Sequence, residues 1–98
     1  MMQTTYRYAT KFADASGYFL PDNSFVVLAG SRISDHVTPS FELASKWYYA
    51  LRESLISSGV VKDCIFQQDF SFSSGTAAAS VISGHVASGK VAWKPDFR

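Results

Sequence analysis

The sequence predicts an α+β fold in which one mixed or antiparallel sheet carries two packed helices, in the order β-β-β-α-β-α-β. Three observations favour this class: aromatic and polar residues alternate near the start of the chain, apolar residues recur with a helical period in its middle, and the connections are short. Since 98 residues leave room for one core, we expect residues 1–98 to form a single domain.

The first three predicted elements are strands. The first strand alternates Tyr6, Tyr8, Thr10 and Phe12 with Arg7, Ala9 and Lys11. This period of two places the aromatic rings on one face of the strand and the cations on the other. A second strand is predicted over residues 15–20, followed by a turn at 21–24, because Pro presets φ and Asp and Asn tolerate a reversal. Residues 25–29 are apolar at every position, which is typical of a central strand covered on both faces.

A helical period follows the polar segment 31–38. Thr38 is a suitable N-cap and Pro39 a suitable first residue, since the N–H that Pro lacks has no helical partner at that position. Apolar side chains then recur at steps of three and four residues up to Gly59, which suits the left-handed end of a helix. We therefore predict a helix over residues 39–58.

The last third of the chain returns to a strand period and then to a helical one. Alternating phenylalanines predict one strand across residues 60–73. Ser73 or Ser74 is a suitable N-cap for a short second helix that ends at Gly84. A Ser-Gly turn then leads to a final predicted strand over residues 90–94.

Composition and charge exclude several classes of protein. Hydrophobic residues make up 47% of the chain, which is too apolar for intrinsic disorder. Nine Lys and Arg residues against eight Asp and Glu give a net charge of +1, so contact with nucleic acid requires a local basic patch. The apolar runs are too short for a signal peptide or a membrane span, and a lone cysteine fits a reducing compartment. We therefore expect a cytoplasmic protein without membrane contact.

No catalytic or metal-binding arrangement is predicted. Cys64 falls on the aromatic face of its predicted strand, where a free cysteine acts as a small buried apolar residue; a dyad with His36 or His85 is the alternative. Metal sites need clustered ligands, and Asp35 beside His36 is an isolated pair. Because glycine motifs for nucleotide phosphates are also missing, we expect no enzyme activity, no cofactor and no metal.

The start of the second predicted helix is the predicted ligand site. Backbone N–H groups and the positive end of the helix dipole attract anions there, and a glycine lets a phosphate approach the backbone. An aromatic ring between two amines at the end of the chain is a combination that holds nucleic-acid strands. The alternatives are that the hydroxyl groups only cap the helix and that the ring belongs to the core. The predicted anion or nucleic-acid site consists of Ser31, Arg32, Ser73, Ser74, Gly75, Thr76, Lys90, Trp93 and Lys94.

Three consecutive aromatic residues, Trp47, Tyr48 and Tyr49, cover more than half the circumference of the first predicted helix. At least one ring is then expected outside the core, and an exposed aromatic cluster is typical of a contact surface. We therefore predict a protein interface here, with a partner protein or as a homodimer. The alternative is that a small domain buries a wide helix face against a curved sheet.

Several segments resemble the bacterial domain-of-unknown-function family number 4357, in order from about Ala13 to Lys94. The resemblance rests on Phe-Val-Val-Leu-Ala-Gly-Ser at residues 25–31, on Asp-Phe-Ser-Phe-Ser-Ser-Gly-Thr-Ala-Ala at 69–78, and on Trp93 with Lys94. Shorter matches are Leu51-Arg52, Leu55-Ile56, Gly59-Val60, Gly84 and Gly89.

The resemblance implies a domain that often ends larger proteins, including ones with a GIY-YIG nuclease-like domain or links to restriction systems, and that is expected here as a stand-alone chain. It also implies a distant relation to a domain found beside restriction enzymes and adenine methylases, which is proposed to recognise modified DNA. We therefore expect a non-catalytic binding module that contacts DNA or a DNA-processing, restriction-type protein. The alternative function is a phage or mobile-element domain that binds a host defence protein through the aromatic helix.

Overall fold

A computed structural model describes residues 4–96 of the chain, and five of its strands form one antiparallel sheet. In chain order the elements are β1 (Tyr6–Ala9), β2 (Asp14–Phe19), β3 (Phe25–Val27), α1 (Phe41–Ala44), α2 (Lys46–Ser57), β4 (Val61–Lys62), β5 (Ile65–Phe66), β6 (Phe70–Phe72), α3 (Gly75–Ser83), α4 (Gly89–Ala92) and β7 (Lys94–Pro95). The strand order across the sheet is β6-β3-β2-β1-β7, and β4 and β5 form a separate hairpin. The predicted α+β class is confirmed, and the antiparallel form of the sheet is the one observed.

The alternation near the start of the chain defines the two faces of the sheet. Tyr6 packs edge-on against Phe19, and Tyr8 packs against Trp93, so the odd-numbered Arg7 lies on the opposite face. Strand β3 lies between β2 and β6, and all three of its residues are buried, in keeping with the central position predicted for this apolar run.

The helix predicted over residues 39–58 is divided into α1 and α2, which corrects its predicted start and continuity. Ser45 is extended, with φ of −153° and ψ of 84°, and its side chain accepts a hydrogen bond from the backbone N of Tyr48 at 3.4 Å. A serine makes this capping bond from a non-helical conformation, so it ends α1 and starts α2. The N-cap of α1 is Ser40, two residues after the predicted Thr38.

The single strand predicted over residues 60–73 is wrong, because the chain reverses within it. Asp63 and Cys64 have φ of 54° and 65°, and they join β4 to β5 as a two-residue hairpin turn of the type that needs positive φ at both positions. Cys64 is half-buried in this turn rather than on an aromatic strand face. Its carbonyl oxygen accepts a bond from the N of Ile33 at 2.7 Å, which attaches the hairpin to the segment after β3.

The final strand predicted over residues 90–94 begins instead as a helix. The backbone N atoms of Val91 and Ala92 donate to the carbonyl of Ser88, which closes the single turn α4, and β7 pairs with β1 after it. Within residues 4–96, the structure has four helices where the sequence predicts two, and the seven strands include the additional β4-β5 hairpin.

The core lies between the helices and one face of the sheet. α3 contributes most of its residues to it and contacts α2, α4, β3 and β6. The largest fully buried apolar side chains are Phe25, Phe41, Phe66, Phe72, Ile33, Ile82, Val27 and Val81. The opposite, open face of the sheet carries the side chains that alternate with the core positions: Arg7, Asp14, Ser16, Tyr18 and Ser71.

A buried arginine joins the helical layer to the loop after β3. Arg52 of α2 is 4% exposed, and its guanidinium donates to the carbonyl oxygen of Val81 at 2.7 Å and to that of Ser34. The Val81 carbonyl belongs to the last turn of α3, where carbonyl groups have no helical partner. Burial lowers the pKa of Arg52, but a guanidinium stays protonated in proteins. None of the helices in the described part is long and apolar enough to cross a membrane.

Candidate binding surfaces

The start of α3, predicted as an open anion site, is covered by α4 and Trp93. Ser74 is its N-cap, and the Ser74 side chain accepts a hydrogen bond from the N of Ala77 at 3.0 Å. The Thr76 hydroxyl accepts a hydrogen bond from the N of Gly89 at 3.0 Å, which fixes α4 against the first turn of α3. The hydroxyl groups of Ser74 and Thr76 are therefore engaged within the chain, as the capping alternative requires.

Gly75 does not offer its backbone to a phosphate, which corrects the prediction for this residue. A Cβ at Gly75 would lie 3.0 Å from the Phe19 ring and 3.3 Å from Trp93, so the glycine is needed for close packing between side chains. Its carbonyl oxygen accepts a bond from Nε1 of Trp93 at 2.9 Å. Of the predicted residues in this segment, Ser73 alone is exposed.

Trp93 is a core residue, as the alternative interpretation of its ring requires, so it does not offer its ring to a nucleic-acid strand as predicted. It is 3% exposed and stacks on Phe25 with ring centroids 4.1 Å apart. The two lysines beside it do reach solvent, but from different elements: Lys90 lies on α4 and Lys94 on β7. The amines of Lys90 and Lys94 therefore lie in solvent, and the Trp93 ring between them in the sequence is buried.

Ser31 and Arg32, predicted as part of the same site, lie on the sheet away from the start of α3. Ser31 is buried, and its hydroxyl accepts a hydrogen bond from the backbone N of Ser16 at 3.1 Å. The Ser31 side chain therefore supports the backbone of β2. Arg32 is exposed. Its backbone forms an antiparallel bridge with the backbone of Asp14, which extends the sheet. Paired residues share a face, which places the Arg32 side chain on the open face with Asp14.

Three cations follow one another across the open face. Lys94 of β7 lies opposite Arg7 of β1, and Arg7 is next to Asp14, which is paired with Arg32. Arg7 holds Asp14 through two hydrogen bonds, from Nε at 2.9 Å and from Nη2 at 2.7 Å, and this contact raises the pKa of Arg7. Arg7 and Arg32 line a depression of about 590 Å³ on this face. We call Arg7, Arg32 and Lys94 the open-face cations.

The predicted aromatic interface contains one strongly exposed ring. Trp47 is 74% exposed, and Leu43, four residues earlier in α1, is 82% exposed. Tyr48 packs against the core, and Tyr49 is half-buried with its ring edge-on to Phe41. We call Leu43 and Trp47 the Leu43–Trp47 patch. The acidic side chains of Glu53 and Glu42 raise the pKa of Tyr49, so its hydroxyl stays neutral.

The residues weighed for catalysis line different depressions. Cys64 lies with Lys11, Arg32 and Asp35 around one of about 340 Å³. His36 and His85 line another of about 330 Å³, together with Phe12, whose ring centroid is 4.1 Å from that of His36.

Sequence reasoning missed two surface residues, Arg7 and Leu43. The period of two in β1 places Arg7 on the face opposite the aromatic side chains, so this pattern could have predicted that Arg7 lies on the open face. Leu43 lies in α1, before the break at Ser45, and is exposed like Trp47 in α2.

Comparison with known proteins identifies the family of the chain. Neither a curated protein nor a solved structure matches it. Its sequence matches the family described as Domain of unknown function (DUF4357) over residues 6–97, a range that contains the segments on which the resemblance rests. Because this match spans nearly the whole sequence, the chain belongs to the DUF4357 family.

Proposed function

We propose that this chain is a non-catalytic binding module that docks on a partner protein through the Leu43–Trp47 patch. The observation that carries the proposal is the exposure of two large apolar side chains in adjacent turns, 82% for Leu43 and 74% for Trp47. Tryptophan has the largest apolar surface of any side chain, and a monomer gains nothing by leaving it in water. Tryptophan is enriched among the few residues that carry most of the binding energy of an interface.

The surroundings of the patch suit a protein partner better than an anionic polymer. Glu42 lies next to Leu43 and Lys46 next to Trp47, so the rim carries both signs of charge. A mixed polar rim around an apolar centre is the usual arrangement at protein interfaces. From the family resemblance, we propose a DNA-processing or restriction-type protein as the partner.

A binding experiment with purified proteins tests this function. The full chain is immobilised, candidate partners from a bacterial lysate are identified, and the affinity of each purified pair is measured by calorimetry. We expect Trp47→Ala to weaken binding about 30-fold, the equivalent of about 2 kcal/mol for a central tryptophan. Leu43→Ala should weaken it less. Ile56→Ala is the matched control, because Ile56 is an exposed apolar residue of α2 that belongs to neither the patch nor a described depression.

The two outcomes of this experiment are distinct. Specific binding that both patch variants weaken, and that Ile56→Ala leaves unchanged, supports the proposal. Retention of no protein, or affinities that remain the same in Trp47→Ala and Leu43→Ala, contradicts it.

DNA binding across the open face of the sheet is the second candidate function. The observation that favours it is the row of open-face cations, Lys94, Arg7 and Arg32, on a face that also carries Tyr18. Phosphates would lie against the cations, and the ring offers a base a stacking surface. The pairing of Arg7 with Asp14 reduces the available positive charge, so we rank this function second.

Salt dependence tests the DNA hypothesis directly. Two or three phosphate contacts predict that affinity for a labelled duplex falls about 10- to 40-fold between 50 and 200 mM salt. Arg32→Ala and Lys94→Ala should each flatten that dependence, whereas Lys46→Ala, near the Leu43–Trp47 patch, should not. A duplex that binds without salt dependence, or not at all, contradicts the hypothesis.

A further inference from the structure

A groove follows the outer edge of β1. It consists of two depressions, of about 650 Å³ and 330 Å³, and His85 lines both of them. None of its described lining residues belongs to the Leu43–Trp47 patch, and its larger depression is also lined by Arg7 and Lys94 of the open-face cations. The larger lies between β1 and α4, and the smaller lies beside the loop after β1. We call these two depressions the β1-edge groove.

The backbone of β1 lacks a strand partner along part of this groove. β7 pairs with Tyr6 and Arg7 and ends there. The N of Thr10 donates to Ala13 on the β2 side, and the N of Asp96 donates to Thr5 on the β7 side. Since residues of an antiparallel strand alternate between their two neighbours, the N–H and C=O of Ala9 point toward the groove. In the part of the chain described, no strand lies opposite them.

Apolar side chains line both depressions. Val91 of α4 is 69% exposed, and Ala92 and Pro95 lie beside it in the larger depression. Phe12 and Val37 are the apolar members of the smaller one, and both are partly in solvent. An extended segment along the groove would therefore bury apolar side chains in two places, one on each side of His85.

The groove is cationic at both ends. Lys94 lines the larger depression, and Lys11, whose Nζ lies 5.6 Å from the centroid of the Phe12 ring, lines the smaller. His85 lies between them. Among the described lining residues, Asp96 is the single carboxylate, and it already has an interaction within the chain. Charge complementarity thus favours a ligand with carboxylates at both ends.

We propose that the β1-edge groove binds an extended, acidic segment of a partner protein. The segment lies along β1 beyond the end of β7 and hydrogen-bonds the backbone of Ala9, as in other additions of a strand to a sheet edge. Its apolar side chains enter the two depressions, and its carboxylates lie near Lys11 and Lys94.

Selection from a library of random decapeptides displayed on phage tests the proposal. The wild-type chain should enrich peptides in which carboxylates flank alternating apolar residues. The enriched peptides should bind a Val91→Glu/Lys94→Glu double variant at least tenfold more weakly, because one substitution fills the apolar depression with charge and the other reverses the charge at its end. In the ¹⁵N spectrum, the amide of Ala9 should shift on binding to the wild-type chain.

The controls separate this surface from the Leu43–Trp47 patch. Leu43→Glu introduces the same charge at an exposed apolar position of that patch and should leave peptide binding unchanged. Because the peptides are selected without the partner of the patch, failure here leaves the proposed function untouched. Lack of enrichment, enrichment of basic peptides, or peptides that bind the double variant as well as the wild type overturns the proposal. A labelled oligonucleotide that displaces the selected peptides from Ala9 also overturns it.

Discussion

Arg52 hydrogen-bonds backbone carbonyl groups of two separate segments. It bonds a carbonyl in the last turn of α3 and another in the loop that follows β3, while its own charge is almost fully removed from water. A cation at the carboxyl end of a helix is favoured by the helix dipole, which offsets part of the desolvation cost. The residue therefore stabilises the packing of α2 on α3 rather than a ligand site.

We predict that Arg52→Ala lowers the free energy of unfolding by about 2–4 kcal/mol, because it leaves two buried carbonyl groups without donors and opens a cavity. Arg32→Ala, which removes an exposed guanidinium, is the control and should change stability by about 0.5 kcal/mol or less. Urea denaturation measures both values. Equal stabilities of the two variants would show that the Arg52 contacts contribute little.

Among the elements, the connection between β2 and β3 depends on a carboxylate. Oδ1 of Asp22 accepts bonds from the hydroxyl of Ser24 at 2.6 Å and from its backbone N at 3.0 Å. These bonds favour the ionised form and lower the pKa of Asp22 below its ordinary value of 3.8. Their contribution is fully present above the unfolded value and is lost as the pH falls through the lower pKa of the folded chain.

Asp22→Asn should therefore be less stable than the wild type at neutral pH, and the difference should disappear in acid. The measurement is the urea midpoint of both chains from pH 7 down to about pH 2, where carboxylates of ordinary or lowered pKa are protonated. Ser24→Ala removes the hydroxyl donor and should reproduce part of the effect. A difference between wild type and Asp22→Asn that does not depend on pH would contradict this account.

The contact between α4 and the start of α3 depends on a residue without a side chain. A Cβ at Gly89 would lie 2.6 Å from the N of Thr76 and 2.7 Å from the carbonyl carbon of Gly75, both of which are backbone atoms. Backbone atoms cannot rotate away as a side chain does, so the two helices have to separate.

Gly89→Ala should accordingly destabilise the chain by about 1–3 kcal/mol, the usual cost of overpacking. It should also expose the Trp93 ring, which is held by the same contact, and shift its fluorescence to longer wavelength. The control is Ser88→Ala, since Ser88 is exposed and makes no side-chain capping bond. Thermal unfolding with fluorescence detection distinguishes the two variants.

For the molecule as a whole, net charge and exposed apolar surface act together on solubility. The isoelectric point is about 7.9, so electrostatic repulsion between copies is weakest near that pH. The Leu43–Trp47 patch supplies apolar contact under the same conditions.

We predict a solubility minimum near pH 7.9, which a Leu43→Glu/Trp47→Glu double variant relieves. A Ser54→Glu/Ser57→Glu variant adds the same charge on exposed positions of α2 but keeps the patch, so it is the matched control. Precipitation curves across pH should show a larger gain for the patch variant. Equal gains would mean that charge alone limits solubility.

Local patterns in the sequence determined much of this protein. The period of two in β1, the apolar run of β3 and the Ser74 cap of α3 each depend on contacts within a few residues or on burial as such. The sequence therefore predicts the existence of β1 and β3 and the start of α3 correctly. The α+β class follows from their order along the chain.

Tertiary contacts decided the rest. The hydroxyls and the glycine at the start of α3 have the composition of an anion site, but the distant residues Gly89 and Trp93 cover them. Likewise, the reversal at Asp63 and Cys64 is held by the segment after β3, and Ser45 divides the predicted helix into α1 and α2. Whether a helix start or an aromatic ring reaches solvent depends on which distant residues pack against it. Local periodicity does not report these long-range contacts, so the sequence pattern could not predict them.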